Sequence, residues 1–415
     1  MPALEPAAPS AQAAPRLNRP FIAALMLANL GTNVALIAPI QNVLPRMIES
    51  AAGSSGKALG LGLVTGLGAL AALVFNPLSG YYSDRWVSAD NRAVLIVIGL
   101  VTGGAAHLVL GVQHSLVGIT VWWTVCQATI NVAYAPMSAI VMDHVARRSW
   151  GLVWGLVSVA QAVGLVIGLA AVVLVFPSVT AGMTAIAVTY MVCLVPLVVV
   201  LLRLPRVSYE RDAGAGGGAD LRLLLTGGGF GLVFAAKFLI MLAETVALLY
   251  LYYYLQDVVH YQNPGDGQLI LILIATLAAI AATVLVGRLA DRSGRYRGYA
   301  VVSSALMAAT AFVLAGFAAW AAVIGCAFTL GIGYGAFQSV SQALSLVVLP
   351  SPASAGRDLG IINVASTVPQ VIGAPVAGLV VASAGGYRGL FVFAGLLAVA
   401  AAVAFARVPS RSADS

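Results

Sequence analysis

Long uninterrupted apolar runs recur along the whole chain and constrain its fold more than any other feature. A membrane-spanning helix needs about 20 mostly apolar residues, whereas a transmembrane barrel would show alternating segments of about ten residues. Twelve long runs, called spans 1 to 12 here, lie near residues 21–45, 58–79, 93–112, 116–142, 150–175, 181–203, 228–255, 268–287, 298–318, 321–348, 359–383 and 388–406. We therefore predict an all-α integral membrane protein with twelve transmembrane helices.

Charged side chains are too few for a water-soluble protein of this size. They make up 8% of the 415 residues, against about 25% in an average soluble domain. The net charge of +7 does not indicate nucleic acid, because seventeen of the 21 Lys and Arg residues fall on one side of the predicted topology. By the positive-inside rule, we expect a multi-pass protein of the plasma membrane with both termini in the cytoplasm.

The sequence offers no sign of a cofactor, a metal site or an enzyme. Cys126, Cys193 and Cys326 all lie inside apolar runs, where cysteine behaves as a small core residue. Metal-ligand spacings, phosphate-binding loops and paired catalytic carboxylates are missing from the sequence. We predict no cofactor other than a coupling proton, and a monomer whose partners are a small-molecule substrate and the lipid bilayer.

A charged, Gly-rich stretch from Arg203 to Arg222 separates six spans from six spans. Such a stretch is typical of a flexible linker. We predict a disordered cytoplasmic tail at 1–19, an N-terminal six-helix bundle at 20–203, a cytoplasmic linker at 204–226, a C-terminal six-helix bundle at 227–407 and a second cytoplasmic tail at 408–415.

A short polar turn occurs once in each half. GYYSDRW begins at Gly80 and GRLADRS begins at Gly287, so the order Gly-x-x-x-Asp-Arg repeats after 207 positions. Five glycine, alanine and valine residues of span 5, from Gly155 to Gly168, recur in span 11 after 205 positions, from Gly360 to Gly373. Two separated repeats at nearly one offset predict that the two bundles are pseudo-symmetric copies.

These features resemble the major facilitator superfamily, whose two halves are related by an axis along the membrane normal. Five segments resemble its sucrose-transporter and glycoside–pentoside–hexuronide symporter branch: QNVLPRM in span 1, NPLSGYYSDR in span 2, YAPMSAIVMDHV in span 4, YYYLQDVV in span 7 and GIINVASTVPQ in span 11. The resemblance implies halves that rock about a central cavity lined by spans 1, 4, 5, 7, 10 and 11.

The repeated turns and the charged loops near them are the candidate cytoplasmic gate. A glycine allows another helix to approach closely, and a carboxylate at a helix end can pair with arginine or with a helix N-terminus. The resemblance implies that this cluster holds the cytoplasmic side shut in the outward-open state; loops that only fix topology are the alternative. The candidates are Gly80, Asp84, Arg85, Arg92, Asp143, Gly287, Asp291, Arg292, Arg295, Arg357 and Asp358.

Ionisable residues inside the spans are rare, and such residues are costly in a membrane. They are His107 in span 3 and Lys237 and Glu244 in span 7. The last two are seven residues apart and so share a helix face, about 10 Å apart along the axis. Glu244 is our candidate proton carrier, with Lys237 to tune it or to bind a substrate oxygen. Structural roles are the alternative for Glu244 and for the weaker candidate His107.

Neutral hydrogen-bonding side chains on the cavity spans form the candidate substrate site. An amide both donates and accepts hydrogen bonds, which suits a neutral polyhydroxylated or amide-bearing solute. Bonds that hold the helices together are the alternative. The candidates are Asn29, Asn33, Gln127, Asn131, Tyr134, Gln161, Tyr250, Gln338, Gln342, Asn363 and Gln370.

The sequence thus predicts a secondary active transporter, proton-coupled, with a neutral sugar or glycoside as the favoured substrate. Spans 1 and 2 contain no Asp or Glu, so the sodium site of the similar melibiose-type symporters cannot be carried over. Proton-driven efflux of an amphiphilic metabolite or drug is the alternative, favoured by the apolar spans 5 and 11. A membrane enzyme or a receptor with a transporter fold is a third and less favoured reading.

Overall fold

The computed structural model describes residues 19–85, 89–145, 149–203, 229–347, 355–383 and 385–409. Within these ranges only the backbone is described at 84, 85, 89–91, 142, 143, 150–152, 342, 346, 347, 355–361 and 363. The predicted linker, and the predicted tails except for Arg19, Val408 and Pro409, lie outside the described residues.

All regular structure in these ranges is helical. The helices are Arg19–Ala38, Leu44–Arg85, Ala89–Leu110, Leu116–His144, Trp150–Ala170, Val179–Arg203, Gly229–Leu249, Leu251–Asp257, Pro264–Ser293, Tyr296–Gly316, Trp320–Val347, Ala355–Ala382 and Gly386–Ala406, with π-helical turns at Pro39–Val43 and Ala171–Val175. Helices bond their own backbone groups internally, which lipid requires of any segment that crosses it.

Twelve crossings follow from the described helices, as the apolar runs predict. Eleven helical stretches of the described chain are long and apolar enough to span a membrane, and the first, Arg19–Ser83, has 65 residues. This stretch crosses twice, because Gly53 breaks the helix with a φ of 69°. Span 1 therefore ends later than the sequence predicts: the helix continues through the π-helical turn up to Gly53.

An even number of crossings places the two ends of the described chain on one face of the molecule. We call this the terminal face; Arg19 and Ala406 lie there. The opposite face, where Gly53 turns span 1 into span 2, is called the distal face.

The internal repeat is visible in how the glycines of spans 5 and 11 pack. A Cβ atom on Gly168 would lie 3.2 Å from the Cβ of Ala38 in span 1, and one on Gly373 would lie 2.9 Å from Cγ2 of Thr245 in span 7. The two glycines are 205 positions apart and their partners 207. Each half therefore packs its fifth span on its first span in the same way, and the two six-helix bundles are pseudo-symmetric.

Spans 2 and 11 form most of the contact between the two halves, which we call the seam. A Cβ on Gly62 would lie 2.8 Å from the carbonyl oxygen of Ala374, and one on Gly66 would lie 2.7 Å from the ring of Pro375. Gly66 is thirteen residues beyond Gly53, or about 20 Å along a helix axis. The seam therefore runs from the distal face to about the middle of the bundle.

Spans 8 and 10 also approach closely at glycines, and this contact can be tested. A Cβ on Gly335 would overlap the carbonyl oxygen of Ala279, so Gly335→Val should overpack the interface at a cost of about 1–3 kcal/mol. We expect its melting temperature in detergent to fall by a few degrees. The control is Gly325→Val in the same helix, where an added Cβ meets no atom within 4 Å. Equal melting of both variants would contradict this packing.

Candidate central site and distal latch

The C-terminal half holds a polar cluster between spans 7 and 10. The carboxylate of Glu244 faces the hydroxyl of Tyr334, which can donate a hydrogen bond to it. The side-chain amide of Gln338 donates in turn to that hydroxyl, at 3.2 Å. We call Glu244, Tyr334 and Gln338 the C-terminal cluster; it brings the predicted proton carrier together with a predicted substrate residue.

Lys237 lies on the same face of span 7 as Glu244, two turns nearer the terminal face. Its side chain is buried, with 4% of its surface exposed. Among the residues that the structure describes, none accepts a hydrogen bond from Lys237 or pairs with its charge. The sequence prediction of a shared face is thus met, but the lysine has no counter-ion there.

The N-terminal half holds a second polar cluster, formed by spans 1, 4 and 5. The side-chain amide of Gln161 donates to the amide oxygen of Asn29 and to the hydroxyl of Tyr134, both at 3.2 Å. Asn29 is buried and donates to the carbonyl of Leu25 at 2.9 Å. We call Asn29, Tyr134 and Gln161 the N-terminal cluster.

The two clusters join corresponding helices of the two halves, since each connects the first span of its half to the fourth. Asn29 is ten residues from the start of its helix at Arg19, and Glu244 is fifteen from Gly229. These separations correspond to about 15 Å and 22 Å from the terminal face. Both clusters therefore lie at mid-depth, where polar groups must bond to each other or to a ligand.

Two other predicted substrate residues bond within the N-terminal bundle instead. Gln127 and Asn131 are buried, and the amide of Asn131 donates to the backbone carbonyl of Gln127 at 2.8 Å. Asn76 of span 2 donates to the amide oxygen of Asn131 at 3.0 Å. The bond between Asn76 and Asn131 joins spans 2 and 4. It fits the alternative given for these residues, which is that they hold the helices together.

The remaining candidates for the substrate site are scattered. Asn33 is half-buried on span 1, and Gln370 is exposed on span 11 with its amide 3.3 Å from the carbonyl of Ser366. Tyr250 lies in the seam, away from both clusters. The side chains of Gln342 and Asn363 fall outside the described residues.

His107 is fully buried inside the N-terminal bundle. Its Nδ1 lies 2.8 Å from the carbonyl oxygen of Gly103, and its Nε2 lies 3.1 Å from that of Ala35 in span 1. The structure does not bring His107 next to Glu244 or Lys237. Its contacts favour the packing role over the proton relay.

At the terminal face, no ion pair joins the described gate candidates Asp291, Arg292 and Arg295 to one another. Asp291 is exposed and accepts a hydrogen bond from the hydroxyl of Tyr296 at 2.9 Å. Arg292 and Arg295 are exposed as well, whereas Arg92 is buried. Side chains at Asp84, Arg85, Asp143, Arg357 and Asp358 lie outside the described part of the chain.

The two gate glycines differ in how tightly they are packed. A Cβ on Gly287 would lie 2.6 Å from the hydroxyl oxygen of Ser339 in span 10, whereas one on Gly80 would lie 3.9 Å from Ala135 in span 4. The close helix approach predicted at both glycines is therefore found only at Gly287, where the neighbouring helix belongs to the same half.

A charged cluster at the distal face joins the two halves. The amine of Lys57 lies 3.0 Å from a carboxylate oxygen of Glu49 and 2.8 Å from one of Asp257. It also lies 4.7 Å from the centre of the Tyr253 ring, which favours a cation. Glu49 and Lys57 belong to the N-terminal half and Asp257 to the C-terminal half. We call these three charged residues the distal latch.

Hydrogen bonds extend the latch along the seam. Tyr250 donates to the carbonyl of Ala58 at 2.6 Å, and Tyr253 donates to that of Pro45 at 2.7 Å. Among hydrogen bonds between described residues, all those that join the halves lie on this distal side; the others are Lys57 to Asp257, Gln256 to Glu49 and Gln268 to Gln41. The central clusters lie near the inner end of the seam, towards the terminal face.

The latch is not among the sites predicted from the sequence. Lys57 is one of the four basic residues outside the seventeen that share one side of the predicted topology, and Glu49 and Asp257 have no predicted role. A signal is present, however. In a chain with 8% charged residues, one lysine and two acids at neighbouring span ends on one face are candidates for ion pairing.

Twelve apolar crossings, an internal repeat and polar clusters at mid-depth define a membrane transport protein. The family model of the Major Facilitator Superfamily matches residues 20–282 and 233–414. The chain belongs to the Major Facilitator Superfamily, and it is a transporter and not an enzyme.

Similar proteins agree with this class. An uncharacterized MFS-type transporter of Methanocaldococcus jannaschii is 27% identical over 129 residues, which is 31% of this chain and 31% of that relative. The match thus spans about a third of the length of the relative.

Solved structures share the fold at low sequence identity. A variant of the nucleoside transporter NupG has a TM-score of 0.73 at 14% identity, over 94% of this chain and 99% of that one. A bacterial homologue of the lysosomal transporter Spinster, described as inward-facing and unoccupied, has a TM-score of 0.68 at 13% identity, over 94% of each chain. A POT family transporter in complex with a thioalcohol-conjugated peptide has a TM-score of 0.70 at 12% identity, over 92% and 94%.

The distal latch should hold the distal face shut. In Lys57→Met, Glu49 and Asp257 would face each other as like charges across the seam, so we expect a new population with the halves further apart there. Spin labels on Ser54→Cys and Gln262→Cys, exposed distal positions on opposite halves, would report it as a longer distance. The native cysteines are buried and should not be labelled.

The control for this experiment is Arg46→Met. It also removes a distal positive charge, but Arg46 donates to the carbonyl of Pro177 within its own half. We expect Arg46→Met to keep the wild-type distance. An unchanged distance in Lys57→Met would mean that the ion pairs do not hold the seam.

Proposed function

We propose that this chain is a proton-coupled secondary transporter that carries a small organic solute by alternating access. The observation that carries the proposal is the C-terminal cluster, where Glu244, the one acidic side chain described at mid-depth, faces a tyrosine hydroxyl. The N-terminal cluster, which joins the corresponding spans of the other half, supplies the second side of the site.

The donors and acceptors of the clusters support a solute with several hydroxyl or amide groups. Gln161 and Gln338 each carry an amide that both donates and accepts, and Tyr134 and Tyr334 each carry a hydroxyl that does the same. Their present bonds to neighbours can be exchanged for bonds to a solute at little net cost. A sugar or glycoside remains the leading example of such a solute.

Glu244 is the residue that we propose to carry the proton. As a carboxylate it accepts the hydrogen bond that Tyr334 can donate; as a carboxylic acid it can itself donate to that oxygen or to a solute. The pair therefore has a satisfied arrangement in both protonation states, which a proton carrier in a low-dielectric site requires.

We propose that the terminal face is cytoplasmic, as the positive-inside rule indicates. The distal face would then be external, and its closed seam would make this an inward-facing state. The exposed helix end at Asp291 would belong to a cytoplasmic gate that closes when the distal latch opens. This assignment also agrees with the absence of an ion pair among Asp291, Arg292 and Arg295, in contrast to the paired distal charges.

Glu244→Gln tests the proton role. The amide keeps the shape and a hydrogen-bonding oxygen but cannot be ionised, so solute accumulation driven by a pH gradient should fall at least about tenfold. Exchange of labelled for unlabelled solute in proteoliposomes without a gradient should continue, because it needs binding and rocking but no net proton movement.

The matched control is Asp266→Asn at the distal start of span 8, which removes an acid outside both clusters. We expect it to keep accumulation. If Glu244→Gln accumulates solute as the wild type does, Glu244 is not the proton carrier; if it loses exchange as well, the residue serves binding or folding.

A further inference from the structure

We infer that Lys237 is a binding site for an anionic group, a carboxylate, on the transported solute. The inference rests on the proposed function, because it places this group in the same central site. It departs from the neutral solute that the sequence suggests.

The burial of Lys237 is the first observation. The residue is 4% exposed and lies eight residues from the start of its helix at Gly229, or about 12 Å along the axis. A lysine near a helix end can extend along the lipid-facing surface to water, but that reading requires an exposed side chain. This side chain is buried against protein at a depth where charge is expensive.

The missing counter-ion is the second observation. No described residue accepts a hydrogen bond from Lys237 or pairs with it, and Glu244 is about 10 Å away along the helix. A buried charge is tolerated when it is paired and hydrogen-bonded. Since no described residue provides a counter-ion, we infer that a ligand entering the site supplies it.

The polar face of span 10 supports a solute beside this lysine. Spans 7 and 10 run antiparallel, and Glu244 faces Tyr334. Seven residues nearer the terminal face on each helix lie Lys237 and Ser341, so these two are at about one level. Tyr334, Gln338 and Ser341 share a face by helical spacing. A solute could thus place its carboxylate at Lys237 and its hydroxyls along span 10.

Charge balance then couples the anion to the proton. With Glu244 ionised, the site holds one positive and one negative group and has no net charge. Protonation of Glu244 leaves the site with a net positive charge, and a solute carboxylate restores neutrality. The proton and the anion are therefore favoured to enter and leave together, with no bond made or broken except the O–H bond of the Glu244 carboxyl group.

The test uses the purified full chain and a panel of small hydroxy acids, so it can be run before the natural solute is identified. The acids, including lactate, gluconate and malate, are each paired with the primary amide of the same skeleton, and the thermal shift of the protein is titrated with both. We expect at least one acid to stabilise the protein, since a ligand that binds the native state raises its melting temperature, and its amide to bind at least tenfold more weakly.

Variants of Lys237 decide whether this residue is responsible. Lys237→Met should abolish the preference for the acid while melting no lower than the wild type without ligand, because an unpaired buried charge has been removed. Lys237→Arg should keep part of the preference, and Arg46→Met, which removes a positive charge at the distal face, should keep all of it.

Three outcomes would overturn the inference: no acid in the panel stabilises the protein more than its amide, Lys237→Met retains the preference, or Arg46→Met loses it as well. None of these outcomes bears on the proposed proton role of Glu244, because that role is tested by solute flux under a pH gradient. Conversely, gradient-independent flux would refute that role and leave the binding result standing.

Discussion

The high cost of placing charge and unpaired polar groups in lipid is the constraint on which the rest of this structure depends. It makes every crossing helical, and it confines charge to the helix ends and to a few enclosed places. A polar contact inside such a protein therefore carries more information than one in a soluble domain. The two central clusters, Lys237 and the distal latch are among the places where the described chain accepts that cost.

The same constraint explains how two rigid bundles can move past each other. The seam between spans 2 and 11 is built from glycine, alanine and proline, with Gly62 against the backbone of Ala374. Small residues allow close backbone contact without interlocking side chains, so the contact can be separated and remade. The strong interactions lie at its distal edge, where Lys57 meets Glu49 and Asp257 and where water can solvate the charges once they separate.

The fold could be predicted from the sequence because its determinants are local. Apolar runs give the crossings, and the repeat from Gly80 to Gly287 gives the pseudo-symmetry. In the central site, helical spacing placed Lys237 and Glu244 on one face. The contacts that could not be predicted join residues far apart in the chain: Lys57 and Asp257 are 200 residues apart, and nothing local distinguishes Gln161, which bonds Asn29, from Asn131, which bonds span 2.

Two lysines in this chain are equally buried, and the comparison between them shows what the central site lacks. Lys57 and Lys237 are each 4% exposed. Lys57 has two carboxylates within 3.0 Å and an aromatic ring at 4.7 Å, so its charge is compensated inside the protein. Lys237 has no such partner in the described chain. The chemistry that stabilises the first lysine is what the second requires, and in a transporter the transported solute is the component that can supply it.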